Sequence, residues 1–171
     1  TSAEIITNFY RAIREAAGDD TVLIGCATIS HLSAGLVELG RTGADVNGMS
    51  WDITRRMGVN TLAFRMMQHG AFYDVDADCV GITGEIPWAQ VGLWLDILSR
   101  SGTPLFVSCK PGILTDAQLA ELREAYARNS VQRDKLIPLD WMENICPERW
   151  LLNGREIHYD WFADDVSVMF A

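Results

Sequence analysis

Several familiar landmarks are missing from this 171-residue sequence, and each absence removes a class of function. Cys26, Cys79, Cys109 and Cys146 are widely scattered, with no CxxC pair. That spacing excludes a zinc ribbon and the dense disulfide framework of a small secreted domain. VLIGC, DADCVGI and LFVSC are apolar runs around cysteine, the usual setting of a buried free thiol. No GxGxxG, GxxxxGK[ST] or GxSxG occurs, so dinucleotide binding, a P-loop and a hydrolase nucleophile elbow have no anchor. His31, His69 and His158 are isolated, which suits structural or surface histidines better than metal ligands. No metal and no cofactor are expected. Positive charge is scarce, with 14 Lys plus Arg against 23 Asp plus Glu and a net charge of −9. That balance argues against nucleic acid and against an anionic membrane surface as partners. There is no run of about 20 apolar residues to span a bilayer. No basic segment precedes an apolar stretch near Thr1, so no signal peptide is expected. Length is short too, since a closed (β/α)₈ barrel needs roughly 200 to 250 residues.

What is present alternates between helix and strand. Thr1 and Glu4 form a capping box ahead of Ile5, Ile6, Phe9, Ile13 and Ala17 at helical spacing, and Gly18 ends that helix. Val22–Cys26 reads as a buried parallel strand, followed by a helix over Ile29–Leu39 and a short, partly polar Arg41–Val46 segment. A helical stretch is expected near Trp51–Met57, and Tyr73–Ile82 alternates as a strand. Pro87 opens a helix that stops at Gly102, Pro104–Ser108 is again strand-like, and Thr115 to Gln118 cap a helix to about Arg128. This repetition predicts parallel βαβ units over residues 1–132. Beyond Pro138 the texture changes. Asn153-Gly154 lies between strand-like runs, which predicts an antiparallel β-hairpin in a 133–171 appendage.

Two groups of polar residues are candidates for chemistry. Asp74, Asp76, Asp78 and Glu85 fit positions 1, 3, 5 and 12 of a calcium-binding EF-hand loop, but Cys79 stands where the sharp turn needs Gly. On a strand the same aspartates share a face and would line one side of a polar pocket. Arg41 and Asp45 form the second group. At the C-terminal end of a strand they lie where α/β enzymes hold their sites, while as a plain ion pair they are structural. Six Trp residues exceed what a core of this size requires.

These residues carry a resemblance. GRTGADVNGMSW, with Arg41, Asp45 and Trp51, resembles the acid/base segment of the α-galactosidases and their relatives, glycoside hydrolase clan D, families 27 and 36. DADCVGI is similar to the Asp-Pro-Asp segment of that family, with Ala77 in place of its Pro and Gly70 in the approach. LWLDILSRSGTPLFVS keeps the family's order of a Leu-Trp helix and a Pro-Leu strand, and Cys26 falls where these enzymes often carry a Cys on the fifth strand. The match runs in order from about residue 20 to about residue 112.

The resemblance implies parallel βα repeats like the second half, strands five to eight, of a TIM (β/α)₈ barrel. It implies Asp45 as the general acid/base, Arg41 as its substrate-side neighbour, Asp76 and Asp78 as sugar-hydroxyl contacts and Cys26 in the same pocket. Trp51 and Trp88 would face sugar rings, and Trp94 would be core. The family's nucleophile is an Asp in a lysine-x-aspartate context, which this sequence lacks. The expected function is therefore a segment of a retaining glycoside hydrolase for α-galactoside-like sugars, its nucleophile outside this chain. Retention needs two carboxyl groups roughly 5 to 5.5 Å apart. The alternative is a non-catalytic carbohydrate-binding or assembly module. A half-barrel would expose sheet edges, and a homo-oligomer is expected to bury them.

Overall fold

The structure is a computed structural model that describes residues 1–132 and 135–163. Helix α1 (Ser2–Ala17) begins at the capping box read from the sequence, with the Thr1 hydroxyl accepting from Glu4 N–H and the Glu4 carboxylate bonded back to the Thr1 amine. Arg14 clamps α1 to the chain entering β2, through paired 2.6 Å bonds to the Glu38 carboxylate. Strands β1 (Ile24–Cys26), β2 (Leu39–Arg41) and β3 (Asp74–Asp76) form a parallel sheet in that order. Between β1 and β2 lies only a short α2 (Ser30–Ser33). The longer helix expected over 29–39 is cut off by Gly35, whose φ of 72° belongs to the left-handed region.

After β2 a loop leads to α3 (Trp51–Ile53), a π-helical stretch (Thr54–Val59) and α4 (Asn60–Arg65), one continuous helical run longer than the sequence suggested. Gly58 on this run lets Trp94 approach, since a Cβ there would lie 2.7 Å from the indole ring. Strand β4 (Val80–Ile82) pairs in parallel with β5 (Val107–Cys109), and α5 (Trp88–Arg100) connects them. Helix α6 (Asp116–Val131) follows, opened by a second capping box at Thr115 and Gln118. Strands β6 (Ile137–Pro138), β7 (Arg149–Leu152) and β8 (Arg155–His158) make an antiparallel sheet, β7 turning into β8 through Asn153 and Gly154, both at positive φ.

The half-barrel expectation is wrong. The parallel strands divide into a three-stranded sheet and a separate two-stranded one, so no continuous arc of four strands forms. The break falls inside the Tyr73–Ile82 run. Only Ala77, Asp78 and Cys79 separate β3 from β4, and parallel neighbours in one sheet need a crossover of a dozen or more residues. Asp78, with φ 72°, turns the chain out of the first sheet and into the second. The architecture is mixed α/β, with two short parallel sheets and an antiparallel C-terminal sheet.

A core cluster gathers Val59, Leu62, Ile97 and Leu98 with Trp94, Trp150 and Trp161. Residues Val91 through Ser99 of α5 are buried without interruption. The indoles of Trp150 and Trp161 both donate to the Pro147 carbonyl, at 2.8 and 2.6 Å, so these rings are buried with their N–H satisfied. Much of the tryptophan surplus is thus core. Residues 133 and 134, at the expected boundary between α/β region and appendage, lie outside the described residues. No helix among the described residues is long and apolar enough to cross a membrane.

Candidate functional site

The last residues of the three parallel strands stand side by side. Cys26, Arg41 and Asp76 are register partners across β1, β2 and β3, at the carboxyl ends where open α/β sheets hold ligands. Arg41 is the centre of the group. Its Nη1 donates to Asp45 Oδ1 at 2.6 Å and to Asp78 Oδ2 at 2.7 Å, and its Nη2 donates to the Cys26 sulfur at 2.6 Å. The contacts with the Cys26 thiol and then Asp45 raise the guanidinium further above its ordinary pKa, so it stays charged.

The carboxylates differ in surroundings. The Asp45 side chain is 77% exposed, whereas that of Asp78 is 19% exposed. Asp78 Oδ2 also accepts from Val46 N–H at 2.7 Å, and its Oδ1 accepts from Cys79 N–H at 2.8 Å. Asp76 is buried, which pushes its carboxyl above the usual carboxylate range, and its Oδ1 accepts from Asp78 N–H at 2.7 Å. Burial, with Asp78 adding to it, pushes the Cys79 thiol up to about 11. One guanidinium binds two aspartates, with Asp76 beside it in register, a balance that favours neutral polyols and cations over anions.

The loop carrying Asp45 is fastened from behind. Cys79 Sγ donates to the Val46 carbonyl at 3.3 Å, and Thr83 Oγ1 donates to the Gly48 carbonyl at 2.7 Å. Gly48 presses on Gly81 of β4 so closely that a Cβ on Gly81 would lie 2.5 Å from Gly48 N. No motif in the sequence marks Val46, Thr83 or this glycine pair as part of a site. Gly81 inside a strand was the available signal, since such a glycine often marks close backbone approach.

The structure brings Cys26, Arg41, Asp45, Asp76 and Asp78 together. The stacked-aspartate face, however, does not form. Asp74 is exposed beside His69, Asp76 ends β3, and Asp78 lies past the bend. Trp51 packs toward the core, its indole donating to the Trp161 carbonyl at 3.0 Å. Trp88 donates to Glu121 at 2.9 Å. No three His, Cys, Asp or Glu side chains converge as a metal set among the described residues. Beside the cluster, a groove of about 350 Å³ between α1 and β1 runs past Phe9, Ile13 and Ile24 to Cys26. Neither the models of known protein families nor the curated proteins include a match to this chain.

Proposed function

We propose that this chain is the acid/base and sugar-binding segment of a retaining glycoside hydrolase acting on α-galactoside-like sugars. The observation that carries the reading is Asp45, an exposed carboxylate fixed by Arg41 at the carboxyl ends of parallel strands. In the first step Asp45, as the acid, protonates the departing glycosidic oxygen while a carboxylate attacks the anomeric carbon. In the second step Asp45, as the base, takes a proton from the water that releases the sugar. The attacking carboxylate comes from outside these residues in this proposal, because the lysine-x-aspartate context of the family's nucleophile does not occur in the sequence. Arg41 keeps Asp45 aimed, and Cys26 and Asp76 border the sugar.

A second reading, a non-catalytic carbohydrate-binding module, is favoured by the engagement of Asp76 and Asp78 in internal hydrogen bonds, which leaves neither of them free to attack beside Asp45. Calorimetry with a galactose-configured cyclic imino sugar, cationic at neutral pH, separates the two. The enzyme reading predicts binding that weakens about tenfold or more in Asp45→Asn, because a charge-assisted pair is lost. Binding unchanged by that substitution supports the module. No binding by the unsubstituted chain overturns both.

A further inference from the structure

Asp78 resembles a sugar-binding residue, yet its hydrogen bonds run inward. Oδ2 holds Arg41 Nη1 and Val46 N–H, and Oδ1 holds Cys79 N–H. These three groups belong to the end of β2, the loop carrying Asp45, and the residue just before β4. Asp78 itself adopts a φ of 72°, a region that L side chains avoid and that Asp and Asn enter most readily. The Asp76 carboxylate fixes that conformation by accepting from Asp78 N–H. Asp45 adjoins the anchored Val46 amide and shares Arg41 Nη1 with Asp78.

We propose that Asp78 is a positioning residue, which sets the direction of the Asp45 carboxylate by anchoring Arg41 and the Val46 amide and contacts no ligand itself. Its consequence for a ligand rests on the sugar-site reading; the anchoring does not. One carboxylate thereby couples the bend between the two parallel sheets to the loop that carries Asp45. Displacing it removes one of the three side-chain bonds of the guanidinium and the acceptor of the Val46 amide at once.

The test uses Asp78→Asn, which keeps a side chain suited to the left-handed backbone and removes the charge. In the full chain by NMR, Val46 amide exchange accelerates about tenfold in this variant, as expected when a local hydrogen bond is released. The Arg41 Nη resonances average, while the Trp94 and Trp150 indole signals stay in place. Unchanged Val46 exchange and Arg41 signals overturn the proposal. With the imino sugar, Asp78→Asn weakens binding about tenfold, and Asp45→Asn/Asp78→Asn binds no worse than Asp45→Asn alone. Fully additive losses mean that Asp78 meets the ligand directly and overturn the proposal. A chain that binds no imino sugar defeats the function reading, while the NMR arm still decides the anchoring. If Asp78→Asn fails to fold, a scalar coupling across the Val46 N–H to Asp78 carboxylate bond in the unsubstituted chain takes its place, and absence of that coupling overturns the proposal.

Discussion

Tyr159 donates its hydroxyl hydrogen to Asp96 Oδ2 at 2.8 Å, joining the end of the C-terminal sheet to the middle of α5. Arg100 binds the same oxygen at 2.8 Å, and Arg128 of α6 binds Oδ1. Asp96 is buried, so its charge is tolerated because these partners surround it. Asp96→Ala leaves two guanidinium groups and a buried hydroxyl without their acceptor. The expected loss is about 3 kcal/mol in urea unfolding, with Tyr159→Phe losing about 1 kcal/mol. Equal stability of Asp96→Ala and the unsubstituted chain would mean that the ion cluster contributes nothing.

A second prediction concerns acid. Val75 N–H donates to His69 Nδ1 at 3.1 Å, so the imidazole caps an amide that points away from β2 and must be neutral to accept. Burial first, and then Lys135, hold the His69 pKa below its ordinary 6.5, against an opposing pull from Asp74. Because the folded-state pKa lies below the unfolded one, the unfolded chain takes up the proton first. This contribution is complete above about 6.5 and is lost as pH falls toward the folded pKa. Unfolding free energies at pH 7.5 and 5.5 should therefore differ more for the unsubstituted chain than for His69→Gln. Identical losses would rule out His69 as the source.

The thiols should separate by burial. Cys26 and Cys109 are exposed, whereas Cys146 is buried with its pKa pushed up to about 12, and Cys79 is partly buried with its own at about 11. A thiol reagent at mildly alkaline pH should label Cys26 and Cys109 rapidly and the other pair only as the chain opens. Uniform labelling of all four would contradict this packing.

Two glycines make opposite predictions. In Gly81→Ala the new Cβ meets Gly48 backbone, with an expected loss of about 2 kcal/mol and weaker imino-sugar binding as the Asp45 loop is displaced. Gly92 in α5 has nothing within 4 Å of its missing Cβ, so Gly92→Ala should gain about 0.5 to 1 kcal/mol. Thermal unfolding of the pair decides it, and a stabilised Gly81→Ala would refute the close loop contact.

Local signals were legible where local chemistry decides the outcome. The capping boxes at Thr1 and Thr115 and the Asn153-Gly154 turn all lie where short-range hydrogen bonding or backbone preference predicts. The arrangement of the strands was not legible. YDVDADCVGI alternates as one strand would, and only the backbone of Asp78 shows that it is two. The Arg41–Asp45 pair and the candidacy of Asp78 followed from spacing, but Cys26 as a member of the group rested on family likeness alone. For Trp51, a Trp near a polar loop carries no sign in the sequence that its indole turns toward Trp161.

Where a sugar binds decides the proposed function. Titrating the ¹⁵N-labelled chain with the galactose-configured imino sugar locates that site residue by residue. Amide shifts should centre on Cys26, Arg41, Asp45 and Val46, saturate together and be greatly reduced in Asp45→Asn. Shifts centred instead on the apolar groove of about 400 Å³ lined by Phe64, Met67 and Trp141, or no shifts at all, would contradict it.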